Sequence, residues 1–132
     1  MKVIDLHTHV IPPNVIDALL QSPARFGVKG ATEHGIRVVE RDGGLHFERS
    51  NRLIEINREL YDVEAKLAAM DRMRIDISAI SVAPPIYFYE LDADAGLAAS
   101  RLSNDGIAQM VSSDPARLRG MATLPMQDPE AA

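Results

Sequence analysis

The chain has 132 residues, close to the size of one ordinary domain, and its formal net charge of −5 argues against a nucleic-acid partner, which would require a basic face. It has no cysteine, which excludes disulfide frameworks, thiolate zinc sites and cysteine nucleophiles. No apolar stretch reaches the roughly 20 residues of a membrane span, so we expect no membrane partner and a cytoplasmic location.

The first half of the chain predicts a strand, a helix and an antiparallel excursion. Lys2 to Leu6 is typical of a short buried strand, and Pro13 opens a helix that ends near Ser22. The region from about 24 to 57 is rich in glycine and mixed charges. Within it, 36–48 predicts a hairpin, because its Asp-Gly pair suits a tight turn.

The second half alternates helices with strands. Asp62 is a good N-cap for a helix that reaches Met73. The apolar run 75–82 is typical of a strand buried on both faces of a parallel sheet. A helix over 92–113 and a strand over 119–124 follow, which completes a βαβ unit. This order predicts an α/β protein.

The last residues have the pattern of a helix start. Asp128 suits the N-cap and Pro129 the first helical position, and the chain ends at Ala132 before one turn is complete. The third strand would then lack its covering helix. We therefore expect the sequence to be the N-terminal part of a longer α/β protein.

The strongest chemical signal is the run Asp5-Leu6-His7-Thr8-His9. Residues two apart on a strand share a face, so His7 and His9 are predicted to project together just past the end of the first strand. Neutral imidazoles suit zinc and similar divalent ions. Asp5 or a backbone carbonyl could accept a hydrogen bond from the second nitrogen of a ligating ring. A catalytic zinc needs at least three protein ligands, so this pair alone does not complete a site.

The histidine run, continued by Val10-Ile11-Pro12, resembles the opening strand of the amidohydrolase superfamily, in the subgroup typified by aminocarboxymuconate-semialdehyde decarboxylase. The stretches 65–80, 81–84 and 120–127 are similar to that family's following helix and strands. The resemblance implies a (β/α)8 TIM-type barrel. Residues 1–132 would be about the first three β/α units of one metal-dependent hydrolase-type barrel domain, with 24–57 as a small antiparallel β-hairpin insertion after the first strand.

The resemblance also implies one divalent metal ion, most often zinc, with His7 and His9 among its ligands. The family's remaining ligands and its proton-transfer histidine come from later strands. They would lie beyond Ala132, so no catalytic residue is expected within this chain, and the chain by itself should be inactive.

Substrate contacts are also implied by the resemblance. The family holds a substrate carboxylate with an arginine from the insertion, for which Arg49 and Arg52 are the nearest candidates and Arg58 lies behind them. Tyr87 or Tyr89, after the second parallel strand, could line a pocket for a flat, conjugated acid.

Several functions remain open from the sequence. The first is a metal-dependent decarboxylase, or carboxy-lyase, acting on a small conjugated or aromatic carboxylic acid. The second is a hydrolase of the same superfamily with a lactone, ester or amide substrate. A polymerase-and-histidinol-phosphatase type is disfavoured, because Pro12-Pro13 stands where an Asp-Gly pair is usual. The last is a non-catalytic truncated module that self-associates, as a homodimer for example, through an open sheet edge.

Overall fold

The structure is a computed structural model that describes residues 1–22, 37–49 and 52–132. Six strands and three α-helices lie in these ranges, with short 3-10 turns at Arg58–Leu60 and Pro84–Ile86. In chain order the elements are β1 (Ile4–Val10), α1 (Pro13–Gln21), β2 (Arg37–Arg41), β3 (Gly44–Arg49), β4 (Arg52–Glu55), α2 (Val63–Met73), β5 (Ile77–Val82), α3 (Ala93–Ser113) and β6 (Leu118–Gly120).

The strands form two three-stranded sheets. One is parallel, in the order β1-β5-β6, and the other is antiparallel, in the order β2-β3-β4. The helix α3 connects β5 to β6 and packs against both, which confirms the predicted βαβ unit and the α/β class. The helix α1 packs against α3 and against β2, so one apolar cluster joins the two sheets.

The first strand is longer than predicted. It was expected to end at Leu6 but runs to Val10, so His7 and His9 lie inside β1 rather than just past its end. Pairing with β5 extends the strand, because Val10 still lies opposite Val82. The prolines at 12 and 13 then start α1.

The strand β1 also contains an irregularity that the sequence did not reveal. Asp5 lies opposite Ser78, whereas Thr8 lies opposite Ile80. Three steps along β1 therefore match two along β5, which places one extra residue in β1. Such a bulge bends the strand and redirects side chains.

The strand β5 is buried on one face only, which corrects the prediction of burial on both. Ser78, Ile80 and Val82 are buried, whereas the alternate residues Ile77 and Ser81 are partly exposed. The buried face lies against α3 and the apolar cluster. Among the residues that the structure describes, no helix packs on the other face of β5 to a comparable extent.

The strand β6 is shorter than the predicted 119–124. Met121 still donates a backbone hydrogen bond to Ile80 (2.9 Å), but the chain then leaves the sheet. Beyond this point the Asn104 side chain on α3 binds the backbone. It accepts a hydrogen bond from the Thr123 N–H at 2.8 Å and donates one to the Thr123 carbonyl at 3.0 Å. A long-range side-chain contact thus replaces the strand ladder.

The predicted hairpin is present, with Arg37–Arg41 paired to Gly44–Arg49. Its turn places Asp42 and Gly43 at φ of 52° and 77°, the left-handed region that this dipeptide favours. The excursion is more than a hairpin, because Arg52–Glu55 adds a third strand. Its parts at 23–36 and 50–51 lie outside the described residues. The predicted helix start at Asp128 is only a turn, in which Ala131 donates to the Asp128 carbonyl at 3.2 Å.

The helix α2 begins where its cap predicts. The Asp62 carboxylate accepts a hydrogen bond from the Ala65 N–H at 3.0 Å, and Arg58 pairs with the same carboxylate at 2.6 Å. The Ala65 hydrogen bond, and after it the Arg58 bond, hold the pKa of Asp62 below its usual range. This cap fixes the start of the helix that carries Lys66 toward β1.

Replacing Asp62→Ala should lower the free energy of unfolding by about 1 kcal/mol, because an N-cap acceptor is lost. Since the folded-state pKa is depressed, the charge-dependent part of this contribution is present above the ordinary aspartate pKa of about 3.9 and is lost as pH falls through the folded value. Urea unfolding at pH 7 and at acid pH measures the free energy of unfolding of both proteins. The difference in this free energy between Asp62→Ala and the wild type should be smaller at acid pH. Asp105→Ala, at an exposed position within α3, is the matched control and should change stability by less than about 0.5 kcal/mol. Equal losses in both variants would contradict the cap.

Candidate metal centre

The structure brings the two histidines of β1 together. The His7 and His9 ring centroids are 4.8 Å apart, with the ring planes at 82° to each other. His7 is exposed and His9 is half-buried. Asp5 accepts a hydrogen bond from the backbone N–H of His7 at 3.0 Å, so its carboxylate holds the backbone at the bulge.

Ser81 is the residue that contacts the His9 ring. It lies opposite His9 in the β1–β5 register, with its Oγ 3.3 Å from His9 Nδ1 and 3.5 Å from the Thr8 carbonyl oxygen. The direction of the Ser81–His9 hydrogen bond depends on the His9 tautomer. When the Ser81 hydroxyl donates to the Thr8 carbonyl, Nδ1–H of His9 donates to Ser81, and Nε2 then has the free lone pair that a metal ligand needs.

Reasoning from the sequence did not single out Ser81. The available signal was a polar residue within the apolar run 75–82, but three such residues occur there and only the strand register distinguishes them. Asp5 was predicted as the acceptor for a ring nitrogen, and in the structure the hydrogen bond it makes is to the His7 backbone instead.

The donor set fits part of a metal site. Two neutral imidazoles at this separation are suitable nitrogen ligands for a divalent ion such as zinc. Within 1–22, 37–49 and 52–132, no group of three or more His, Cys, Asp or Glu side chains could hold a metal ion.

A buried cation lies on the opposite face of the same strand. Lys66 of α2 is only 8% exposed, and its Nζ donates to Thr8 Oγ1 at 2.5 Å. Burial lowers the pKa of the Lys66 ammonium, while the negative charges of Asp5 and Glu59 act in the other direction. Thr8 is therefore contacted from both faces of the sheet.

A cleft of about 280 Å³ lies at the carboxyl end of β5. Ser81 lines this cleft as well as contacting His9, so the two features share a residue. Its other lining residues include Tyr87, Tyr89, Thr123, Leu124 and Met126. A larger cleft of about 520 Å³ lies between α1 and the β2–β3 turn and contains none of the predicted site residues.

The two tyrosines of the cleft are stacked. Their ring centroids are 5.1 Å apart and their planes differ by 16°. The residue between them, Phe88, has a φ of 55°, which is uncommon for a bulky side chain. This local conformation lets residues two apart turn their rings to the same side. Both tyrosines line the cleft together with Ser81, and the role of Tyr87 in binding a substrate stays a prediction.

The candidate arginines lie on other elements. Arg49 and Arg52 are paired residues in the β3–β4 register, so they belong to the antiparallel sheet rather than to the sheet that carries the histidines. Arg52 is exposed. Arg58 is already paired with Asp62, which leaves it poorly placed to bind a substrate.

The described part of the chain contains no helix that could cross a lipid bilayer.

Comparison with curated proteins finds decarboxylases. The chain is 29% identical over 131 residues to 2-amino-3-carboxymuconate-6-semialdehyde decarboxylase of Dictyostelium discoideum, covering 98% of this chain and 34% of that protein. It is also 29% identical to the Caenorhabditis elegans protein of that name, covering 99% of this chain and 31% of that one. The chain thus spans about one third of the length of these relatives. No family model matches it.

Solved structures agree in fold. The 5-carboxyvanillate decarboxylase of Sphingomonas paucimobilis superposes with a TM-score of 0.66 at 27% identity, covering 99% of this chain and 37% of that one. Metarhizium anisopliae IDCase, in apo form, gives 0.73 at 23% identity, with coverage of 97% and 36%. A dihydroxybenzoic acid decarboxylase from Polaromonas, solved with manganese and 2-nitroresorcinol, gives 0.63 at 24% identity, with coverage of 100% and 33%.

The relatives therefore confirm the resemblance that begins with the histidine motif: over nearly its whole length, this chain is similar to 2-amino-3-carboxymuconate-6-semialdehyde decarboxylases.

Proposed function

We propose that this chain supplies the histidine pair of a metal-dependent decarboxylase that acts on a small aromatic or conjugated carboxylic acid. One observation carries the proposal: Ser81 contacts the His9 ring and also lines the cleft that holds the stacked tyrosines. A metal held by His7 and His9 would thus lie beside an aromatic surface. The relatives, which are named as decarboxylases, support the reaction class.

The roles follow from the chemistry of each group. His7 and His9 hold one divalent metal, which when bound supplies Lewis-acid polarisation. Imidazole ligands favour zinc, although manganese is the ion in the Polaromonas structure. Tyr87 and Tyr89 offer ring faces for offset stacking on a flat acid, and they make the cleft less accessible to water.

Recognition of the carboxylate is assigned to the insertion. Arg49 and Arg52 lie opposite each other at one end of the antiparallel sheet, and either guanidinium can bind a carboxylate with two parallel hydrogen bonds. This role stays a prediction, as does zinc as the native ion.

This chain spans about one third of the length of its relatives, which supports the proposal that it is part of a larger domain. We propose that residues 1–132 form the N-terminal part of one barrel domain, and that its other metal ligands and its proton-transfer histidine belong to the rest of the protein. Self-association is a further prediction, since β1 is an edge strand with Ile4 and Leu6 52% and 72% exposed.

Replacing His7→Ala or His9→Ala should abolish stoichiometric metal binding and carbon dioxide release in the whole protein that carries this chain. Each change removes one of the two nitrogen ligands that these residues provide. Metal analysis and an assay of carbon dioxide release from 5-carboxyvanillate, 2,6-dihydroxybenzoate and 2-amino-3-carboxymuconate semialdehyde measure both effects. The 132-residue chain alone should bind metal weakly, lose it to a chelator and show no turnover.

The matched control is His46→Ala, because His46 lies on the antiparallel sheet with its Nδ1 3.3 Å from the Gly44 carbonyl oxygen. It should retain metal and activity. Tight stoichiometric metal in His7→Ala and His9→Ala would show that the pair is structural. A metal-bound whole protein that releases no carbon dioxide from any of these acids would instead separate the metal centre from the proposed reaction.

Removing the Ser81 hydroxyl should weaken metal binding without unfolding the protein. Ser81→Ala deletes the group that receives the His9 Nδ1 proton, and loss of such a contact typically lowers metal affinity by roughly 10- to 100-fold. Titration with Zn²⁺ measures the affinity. Ser112→Ala is the control, since Ser112 is exposed on α3 and bonds only to its own helix. Unchanged affinity in Ser81→Ala would refute the role of this hydroxyl.

A further inference from the structure

We propose that Lys66 is a positioning residue for the histidine pair, acting through Thr8 from the opposite face of β1. The inference rests on the proposed metal role of His7 and His9. It concerns a side chain that touches neither histidine and that no metal would contact directly.

The contact geometry supports this role. Thr8 lies between the two histidines in sequence, and its side chain points away from them, toward α2. Lys66 Nζ donates to Thr8 Oγ1 at 2.5 Å, while the Thr8 carbonyl is 3.5 Å from Ser81 Oγ. Thr8 is therefore held at its side chain by Lys66 of α2 and at its backbone carbonyl by Ser81 of β5.

The bulge explains why such fixing is needed. Between Asp5 and Thr8 the β1–β5 ladder is irregular, so the backbone that carries His7 lacks regular sheet pairing. The Asp5 hydrogen bond to the His7 N–H holds one end of this stretch. Lys66 holds the other end, from a helix that begins at the Asp62 cap.

Burying Lys66 at this position costs free energy, because its ammonium group is removed from water. Its hydrogen-bond acceptor is one neutral hydroxyl, at 2.5 Å. An apolar side chain of similar length would fill the same space without that cost. A purely structural lysine and a positioning lysine therefore predict different results for Lys66→Met.

The experiment compares Lys66→Met, Lys66→Arg and Thr8→Val, together with the Lys66→Met/Thr8→Val double variant, in the whole protein. Mn²⁺ alone is the titrant, and urea unfolding reports stability. Lys66→Met should unfold at the same or a higher urea concentration than the wild type, yet bind Mn²⁺ about tenfold more weakly. Lys66→Arg keeps a donor and should recover most of the affinity.

The double variant tests whether the effect passes through Thr8. Thr8→Val should lose as much affinity as Lys66→Met, and the double variant should lose no more than either one, because both remove the same contact. Thr8→Val also serves if Lys66→Met fails to fold. In the metal-free protein, the ring ¹⁵N signals of His7 and His9 should shift in Lys66→Met while those of His46 stay unchanged.

The failures are distinguishable. Wild-type protein that binds no Mn²⁺ would refute the proposed metal centre, and this inference with it. If the wild type binds Mn²⁺ and the Lys66→Met and Thr8→Val variants bind it equally tightly, the positioning role alone is refuted. Additive losses in the double variant would also refute it, because Lys66 would then act by another route.

Discussion

The candidate site depends on the parallel register between β1 and β5, because that register brings Ser81 opposite His9. The register is irregular between Asp5 and Thr8. His7 lies in this irregular stretch, whereas His9 lies in the regular part of the register. The two rings meet nearly edge to face, with their centroids 4.8 Å apart.

The two faces of the parallel sheet have different roles, since one is buried and the other carries the candidate site. One is covered by α3 and the apolar cluster, and it buries Ile80 and Val82 completely or nearly so. The other carries the histidines, Ser81 and the tyrosine-lined cleft. Because the histidine side of the sheet is less covered, a ligand can reach it, while the buried side holds the strands in register. Lys66 belongs to the buried side, and it is the cation that connects that side to the site.

Local signals in the sequence predicted much of this structure. Asp62, predicted as an N-cap, accepts a hydrogen bond from the N–H three residues on, and such a cap is visible in sequence because it involves neighbours along the chain. The sequence singles out the histidine pair and Tyr87 as candidates for the same reason, since one is a motif of adjacent residues and the other an aromatic run directly after a strand.

The features that were missed depend on contacts distant in sequence. The bulge and the role of Ser81 come from the register between β1 and β5, which are separated by more than 60 residues. The chain after the short β6 is held by Asn104, whose side chain binds the Thr123 backbone. The third antiparallel strand, Arg52–Glu55, gave no clear alternation, because all four of its residues are exposed. Strand patterns arise from one buried face, and this strand has none.

The central claim is that His7 and His9 bind one metal ion together, with His9 oriented by Ser81. The most direct measurement is a crystal structure of the whole protein with Zn²⁺, using anomalous scattering at the zinc edge to locate the ion. The account predicts one peak at about 2.0–2.1 Å from a ring nitrogen of each histidine, with Nε2 as the His9 ligand and Nδ1 still bonded to Ser81. A zinc peak that contacts only one of these rings, or that binds His9 through Nδ1, would contradict it.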